Sequence, residues 1–376
     1  MNTNKIAILG SEGFIGKNLT RHIIKTKRPK ILTLISRKKS SFKKGKIRKA
    51  SCDLLNITKL KKLIEGHDFI YFTGGLAWQH PKSAFRSKLE LLLEQLVQNS
   101  LSAYFMGKII TVDQRLIWLS TNAIEIMKSS LTPLQNKKLE NELNEIIECL
   151  FSRKKMDVLK SMDSYLKELT WDLVMKHVLY SFPHALDYSY AYSKYLGEKI
   201  LIRLSNQNIK IVRISDAYGP GQSISFNAIN PDVQARRIQR FVAAYRLISQ
   251  NKIDWIPRDG KGLHGFHRSK DKRIFHEVWR DKVFPTYIKD ICQTLTNVGE
   301  SANKTQVLYQ LRVEGLMTKE LSKIIRDFFK ASVNIKQEGI KRIDFKTKLK
   351  DSNPSVLMSK PTSFKDGLRK WMKNEV

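Results

Sequence analysis

An open, doubly wound α/β sheet with parallel strands is the fold that residues 1–222 predict, with a smaller α/β region over 223–376. Three observations carry this prediction. Short apolar runs alternate with segments of helical period along the first part of the chain. The runs are continuous rather than alternating, as strands covered on both faces require. The first run is followed at once by a glycine-spaced turn and a helix.

That first run is Ile6-Ala7-Ile8-Leu9, and Gly10-Ser11-Glu12-Gly13-Phe14-Ile15-Gly16 follows it. A helix is expected over Lys17 to Lys25. Strand, glycine turn and helix in this order are the context a dinucleotide fingerprint needs. Gly10 permits the tight turn, Gly13 lets the backbone approach a pyrophosphate, and Gly16 lets helix and strand pack closely. The helix N-terminus offers free N–H groups and partial positive charge to phosphates.

The second strand, Ile31 to Ile35, ends at Ser36-Arg37-Lys38. An acid at this place would hold the ribose 2′-hydroxyl of NAD, whereas a basic end suits a 2′-phosphate. The expectation is therefore NADP ahead of NAD. Asp53-Leu54 comes next, then the strand Asp68 to Phe72, which ends in Thr73-Gly74-Gly75. Small residues there let a cofactor lie against the backbone. A helix over Lys88 to Met106 carries Asn99. The strand Arg115 to Leu119 ends at Ser120-Thr121, which would place a hydroxyl at the same crevice.

Residues from about 124 to 187 break the alternation. Leu143, Ile146, Ile147 and Leu150 are spaced as on an amphipathic helix, and so are Val158, Met162, Tyr165 and Leu166. Two or three inserted helices are expected, serving as a lid, an oligomer contact, a partner surface or plain packing. The alternation resumes with Tyr190-Ala191-Tyr192-Ser193-Lys194, on a helix with Tyr192, Leu196 and Ile200 at helical spacing. Tyr190 and Lys194 share a face one turn apart. A tyrosine hydroxyl titrates near pH 10. A neighbouring ammonium favours the phenolate and draws it toward the working range. The strand Ile209 to Ile214 then runs into Ser215-Asp216-Ala217-Tyr218-Gly219-Pro220.

Beyond residue 222, helices are expected over Arg236 to Ile248, Thr318 to Phe329 with Thr318 as N-cap, and Ser363 to Met372, and a strand over Ile253 to Pro257. No nearby Cys, Asp or Glu completes a convincing ligand set with His264, His267 and His276, so no metal is expected.

The 376 residues suffice for one large domain or two smaller ones, and 41% hydrophobic with 27% charged residues suits a globular chain. No apolar run is long enough to span a membrane. The N-terminus leads straight into a strand and glycines, so no signal peptide is expected. Three dispersed cysteines point to a reducing cytoplasm without disulfides. The 68 Lys+Arg against 35 Asp+Glu give a net charge of +33. That excess fits nucleic acid, an anionic membrane surface or phosphorylated substrates. The lysines are scattered rather than gathered in one tail, which favours a basic background over a nucleic-acid site.

Jointly these motifs resemble the extended short-chain dehydrogenase/reductase family, in particular its nucleotide-sugar epimerases and dehydratases. The resemblance rests on Gly10, Gly13 and Gly16; on Tyr190, Lys194, Gly197 and Glu198; on Arg213, Tyr218, Gly219 and Pro220; and on Arg280, Tyr287, Ile288 and Asp290. It implies a Rossmann-type fold and a set of roles. Tyr190 would be the acid/base, Lys194 would lower its pKa and hold the nicotinamide ribose, and Thr121 would bond the reacting oxygen. Phe14 and Ile15 would lie over the pyrophosphate and Asp53 and Leu54 at the adenine. Gly74, Asn99 and Ser215 would line the nicotinamide half, and Asp216 and Arg280 would face the sugar nucleotide.

Two departures bear on the substrate. The acid pair that the family's dehydratases carry after the catalytic Thr is Asn122-Ala123 here. The family's Asn after the sixth strand is Asp216. The expected function is an NAD(P)-dependent epimerase or oxidoreductase on a nucleotide-linked sugar. A 4-ketoreductase or dehydratase is the alternative within the family. A non-catalytic cofactor-binding scaffold for a polyanion is the alternative of another class. A cytoplasmic homodimer is expected, with nucleic acid not among its partners.

Overall fold

The computed structural model of the protein describes residues 4–37, 42–76, 88–152, 186, 188–204, 208–222, 237–250, 266–268, 274–277, 282–303, 307–311, 313–331, 334–337 and 361–373. The elements of the N-terminal part run β1 (Lys5–Leu9), α1 (Phe14–Thr26), β2 (Ile31–Ser36), β3 (Phe42–Lys44), β4 (Ile47–Ser51), α2 (Ile57–Ile64) and β5 (Phe69–Phe72). A long helical stretch follows: α3 (Lys88–Gln95), a π-helical segment (Leu96–Leu101) and α4 (Ser102–Ile109). Then come β6 (Arg115–Thr121), α5 (Ala123–Ser130), α6 (Pro133–Ser152), α7 (Ser189–Arg203), β7 (Ile209–Ile214) and β8 (Asp216–Tyr218). The remainder is α8 (Arg237–Ser249), β9 (Phe266–Arg268), β10 (Ile274–Glu277), β11 (Lys282–Val283), β12 (Pro285–Tyr287), α9 (Ile288–Glu300), β13 (Leu308–Gln310), β14 (Leu316–Met317), α10 (Thr318–Phe329), β15 (Asn334–Gln337) and α11 (Phe364–Lys373).

The main sheet has eight strands in the order β13-β7-β6-β5-β1-β2-β4-β3. All its pairings are parallel except that of β3 with β4. From β1 the chain winds outward through β2 and β4, then returns to β5 on the other side of β1. The order therefore reverses between β1 and β5, and ligands of such sheets bind outside the carboxyl ends of the strands at that reversal. The register brings those ends level, with Leu9 beside both Ile35 and Phe72.

Strand residues alternate between two cores. Ile6 and Ile8, Ile117 and Leu119 pack with α1 and α8 to α11, while Ala7 and Leu9, Leu116 and Trp118 pack with α2 to α7. The doubly wound α/β sheet is thus the fold observed, as the sequence predicts.

Several expectations change in detail. The β3–β4 hairpin lies where no element is expected. Its β4 is only half-buried and, as Ile47-Arg48-Lys49-Ala50-Ser51, carries the cations of a sheet edge rather than an apolar run. The helix over Lys88 to Met106 continues to Ile109 and holds the π segment around Asn99. The N-cap of α10 is Met317 rather than Thr318, and the Met317 N–H donates to Glu320 Oε2 at 2.7 Å. The insertion supplies α5 and α6, and Leu143, Ile146, Ile147 and Leu150 of α6 are all buried. The second inserted segment, with Val158 to Leu166, lies outside the described residues, as do Ile253 to Pro257 and His264.

Candidate functional site

The glycine turn joins three strand ends. The N–H groups of Gly10 and Ser11 both donate to the Ile35 carbonyl, at 2.9 and 3.2 Å. Gly10 has φ +79°, and a Cβ on it would stand 2.6 Å from the Gly74 nitrogen. A Cβ on Gly16 would stand 2.2 Å from the Gly10 carbonyl oxygen, and one on Gly74 would stand 2.4 Å from Leu54 Cδ1. Gly10, Gly16, Gly74 and Leu54 therefore share one close-packed floor whose backbone no side chain could cover. Gly13 is the N-cap of α1, Phe14 opens the helix, and Ile15 is buried behind it. Asn18 Nδ2 donates to the carbonyls of Phe14 (2.9 Å) and Pro220 (3.2 Å), which ties this turn to the Tyr218-Gly219-Pro220 segment.

Beyond β4, Asp53 Oδ1 accepts from the Leu55 N–H at 3.0 Å, shaping the loop that presents Leu54. Ser36 ends β2 half-buried and Arg37 is exposed beside it; Lys38 lies outside the described residues. Glu12, an acid inside the turn itself that no motif singled out, sits near Lys17 (3.5 Å) and Lys49 (3.8 Å), which offset its charge.

Helix α7 brings the proton-handling candidates to the other end of the crevice. Tyr190 lies half-buried in its first turn, and Lys194 one turn on is 6% exposed. The Lys194 ammonium donates to the Leu119 carbonyl of β6 at 3.3 Å and lies 5.5 Å from the centroid of the Trp118 ring. Burial pushes its pKa down to about 8, against the opposing pull of Glu198. A Cβ on Gly75 (φ +125°) would stand 3.2 Å from Lys194 Nζ and 2.6 Å from Asn99 Oδ1. Lys194, Asn99 and Gly75 thus converge just past β5.

Asn99 is held from three directions. Its Oδ1 accepts from Leu76 N (3.1 Å), and its Nδ2 donates to Leu76 O (3.2 Å) and Ser193 Oγ (3.1 Å). The Ser100 hydroxyl donates to the Ser193 carbonyl at 2.6 Å. The π segment that carries both residues presses on Gly197, where a Cβ would lie 2.9 Å from the Asn99 carbonyl oxygen. Local π geometry of this kind is frequent at functional sites.

Thr121, at the end of β6, is 8% exposed, and its hydroxyl oxygen accepts from the Ala123 N–H at 3.2 Å. Asn122 beside it turns along the sheet edge. Its Nδ2 donates to Ser215 Oγ at 2.5 Å, and its Oδ1 accepts from Gln310 Nε2 at 3.0 Å. Beneath, Arg213 is clasped by Glu198 of α7 and Glu125 of α5.

Asp216 accepts from the Phe284 N–H at 3.3 Å, beside the parallel β8–β12 pair. Asp290 accepts from the Thr362 N–H (2.7 Å) and hydroxyl (2.9 Å), anchoring the segment before α11. Arg280 lies outside the described residues. Among the described residues no cluster of three or more His, Cys, Asp or Glu is gathered as a metal site would need, and no helix is long and apolar enough to cross a membrane. A cavity of about 910 Å³ opens between α2 and α4, lined by Lys61, Tyr104, Lys108 and Phe151 among others. It adjoins Asp68 and Gln114, before β5 and β6, at the opposite end of the sheet from the crevice.

Residues 6–124 match the model of the NAD dependent epimerase/dehydratase family. No curated protein matches the sequence. Among solved structures, the chain is similar to a UDP-N-acetylglucosamine 4-epimerase from Methanobrevibacter ruminantium M1 in complex with UDP-N-acetylmuramic acid, with TM-score 0.61 and 15% identity over 100% of this chain and 99% of that one. It is similar to a UDP-glucuronic acid 4-epimerase from Bacillus cereus in complex with NAD, with TM-score 0.56 and 15% identity over 98% of each chain. An NAD dependent NDP-hexosamine 5,6-dehydratase of tunicamycin biosynthesis matches with TM-score 0.57 and 15% identity over 99% of this chain and 97% of that one. Residues 6–124 thus resemble the NAD dependent epimerase/dehydratase family, and the fold along the whole length is that of these solved structures.

Proposed function

We propose that the protein is an NAD(P)-dependent enzyme that interconverts a hydroxyl and a ketone on a nucleotide-linked sugar, as an epimerase or oxidoreductase, in the cytoplasm. The observation that carries this reading is the convergence of Lys194, Asn99 and Gly75 at the far end of a crevice that begins at Gly10. The residues fit a dinucleotide. The floor of Gly10, Gly16, Gly74 and Leu54 leaves backbone bare for a pyrophosphate, with Gly13, Phe14 and Ile15 at the helix N-terminus above it. Ser36 and Arg37 would meet the adenosine ribose, and the guanidinium of Arg37, with no acid at this strand end, supports NADP over NAD. Asp53 and Leu54 would flank the adenine, and Asn99 and Ser215 the nicotinamide. When bound, that cofactor supplies the hydride chemistry.

In this reading Tyr190 takes the proton from the sugar hydroxyl and returns it to the ketone oxygen. Lys194 favours the phenolate and bonds the adjacent ribose. Thr121 donates to the reacting oxygen, its own oxygen being steadied by the Ala123 N–H. Asp216 and Arg280 belong to the sugar-nucleotide side. A dehydration is disfavoured, because the place of the expected acid pair holds Asn122 and Ala123, and Asn122 is already engaged by Ser215 and Gln310. A homodimer belongs to the proposal too; since α6 packs on α7, a contact through α7 would include α6.

Mass spectrometry of the native protein would test this reading first, followed by incubation with UDP-hexoses and cofactor. Retained NAD(H) with interconversion of epimers would mark an epimerase and count against the preference for NADP, and NADPH-dependent ketone reduction would mark an oxidoreductase. Tyr190→Phe should abolish turnover and leave cofactor binding within about twofold. Turnover by that variant would remove Tyr190 from the acid/base role.

A further inference from the structure

We infer that Asn122 and Gln310 are positioning residues that set the Ser215 hydroxyl as a hydrogen-bond donor to the nicotinamide carboxamide oxygen. The inference rests on the dinucleotide reading above. Its basis is the direction of a three-membered chain across the carboxyl ends of β6, β7 and β13. Gln310 Nε2 donates to Asn122 Oδ1 at 3.0 Å, and Asn122 Nδ2 donates to Ser215 Oγ at 2.5 Å.

Each link fixes the next. An amide nitrogen only donates and an amide oxygen only accepts, whereas a hydroxyl can do either. Because Gln310 occupies the oxygen of Asn122, the amide of Asn122 must point its nitrogen at Ser215. Ser215 Oγ must then accept, and its single proton is left to donate elsewhere. Among the described residues that hydroxyl donates no hydrogen bond. Asn122 and Gln310 are 8% and 9% exposed, so water competes little for these bonds, whereas Ser215 is only half-buried. The open end of the chain is therefore the ligand side.

Position selects the ligand atom. Ser215 follows β7, and Thr121↔Ile214 is the last pairing of β6 with β7. Four strand spacings, about 19 Å, separate β2 from β7. Ser215 thus belongs with Thr121 and Lys194, far from Ser36 and Arg37 at β2. A donor here meets the nicotinamide half of a dinucleotide rather than the adenosine half.

Two near-isosteric variants reverse the polarity without emptying the site. In Asn122→Asp both carboxylate oxygens accept, so Ser215 must turn its proton inward. Gln310→Glu replaces the donating amide, turns Asn122 over, and does the same from a residue that does not touch Ser215. The measurement is the affinity of each protein for NADH and for ADP-ribose, which lacks the nicotinamide, with melting temperatures alongside. NADH carries no charge on its nicotinamide ring, so the added carboxylate has no charge there to attract. The expected result is about tenfold weaker NADH binding in both variants with ADP-ribose unchanged.

NADH bound as by the wild type in both variants would overturn the inference, as would an equal loss for both ligands, which marks a merely structural role. If one variant fails to fold, the other decides by the same comparison. Failure of the wild type to bind any dinucleotide would instead overturn the reading on which the inference rests.

Discussion

The guanidinium of Arg213 on β7 closes on the carboxylate of Glu198 on α7, out of reach of water. The Glu198 side chain is fully buried and that of Arg213 is 6% exposed, and contacts of 2.8, 3.1 and 2.5 Å join them. Glu125 of α5 adds a second carboxylate on the remaining nitrogen. The two carboxylates hold the Arg213 pKa above its ordinary range although burial opposes them. The pair fastens the helix that carries Tyr190 and Lys194 to the strand that leads to Ser215, so it links the fold to the site.

Removing one partner of a buried pair strands the other charge. Glu198→Ala should therefore cost about 3–5 kcal/mol in urea unfolding. Glu125, whose side chain is 26% exposed, should cost about 1 kcal/mol when changed to Ala, nearer the range of exposed pairs. The reverse order would show that Glu125, not Glu198, is the main partner of Arg213.

Lys194 should reduce stability in order to serve the site. Its pKa of about 8 lies below the ordinary 10.5, so the folded chain binds fewer protons than the unfolded chain between those values. Folding should strengthen as pH rises from about 8 toward 10.5, and the cost is at its full size below 8. Lys194→Met should raise stability at pH 7 by about 1–3 kcal/mol, with turnover lost. The gain should shrink as pH rises toward 10.5. A melting temperature lowered at pH 7 would mean that the bond to Leu119 outweighs the burial cost.

What the sequence made legible was local chemistry. Gly10, Gly13 and Gly16 declare themselves because a side chain at Gly10 or Gly16 would strike backbone within a few residues or a strand away. Tyr190 and Lys194 are one helical turn apart, which spacing alone shows. Glu198 and Arg213 each stand in a motif, but their pairing depends on how α7 lies on β7. The link from Asn122 to Gln310 spans 188 positions, and no period in the chain announces it. The β3–β4 hairpin was hidden because β3 is an edge strand and β4 beside it is only half-buried, so neither needs an apolar run. The π segment was hidden because its apolar residues continue a helical pattern while the turn widens by one residue.

Arg37 carries the proposed preference between the two cofactors. It is exposed at the end of β2, with Ser36 half-buried before it, where the ribose 2′ position of a dinucleotide would lie. Arg37→Asp should lower affinity for NADPH at least tenfold and leave or improve that for NADH, as titration of each would show. An unchanged ratio of the two affinities would remove Arg37 from the 2′-phosphate role and leave the preference for NADP without support.

Glu142 gives the insertion its own dependence on pH. It lies on α6 with 3% exposure, and Tyr192 of α7 donates to its Oε1 at 2.8 Å, while its Oε2 has no partner. Burial pushes its carboxyl up to about 7; the bond from Tyr192 works against this and Glu145 adds to it. The folded chain then binds more protons than the unfolded chain between about 4.5 and 7, so stability should fall as pH rises through that window. Glu142→Gln keeps an acceptor for Tyr192 and removes the titration. Its melting temperature should match the wild type at pH 4.5 and exceed it at pH 8, by about 1–2 kcal/mol in stability. Because the pair joins α6 to the helix of Tyr190, hydrogen exchange in α6 should quicken between pH 5 and 8 in the wild type beyond the chemical rate, and stay level in the variant. Equal pH profiles for the two proteins would show that Glu142 stays charged at its place between the helices.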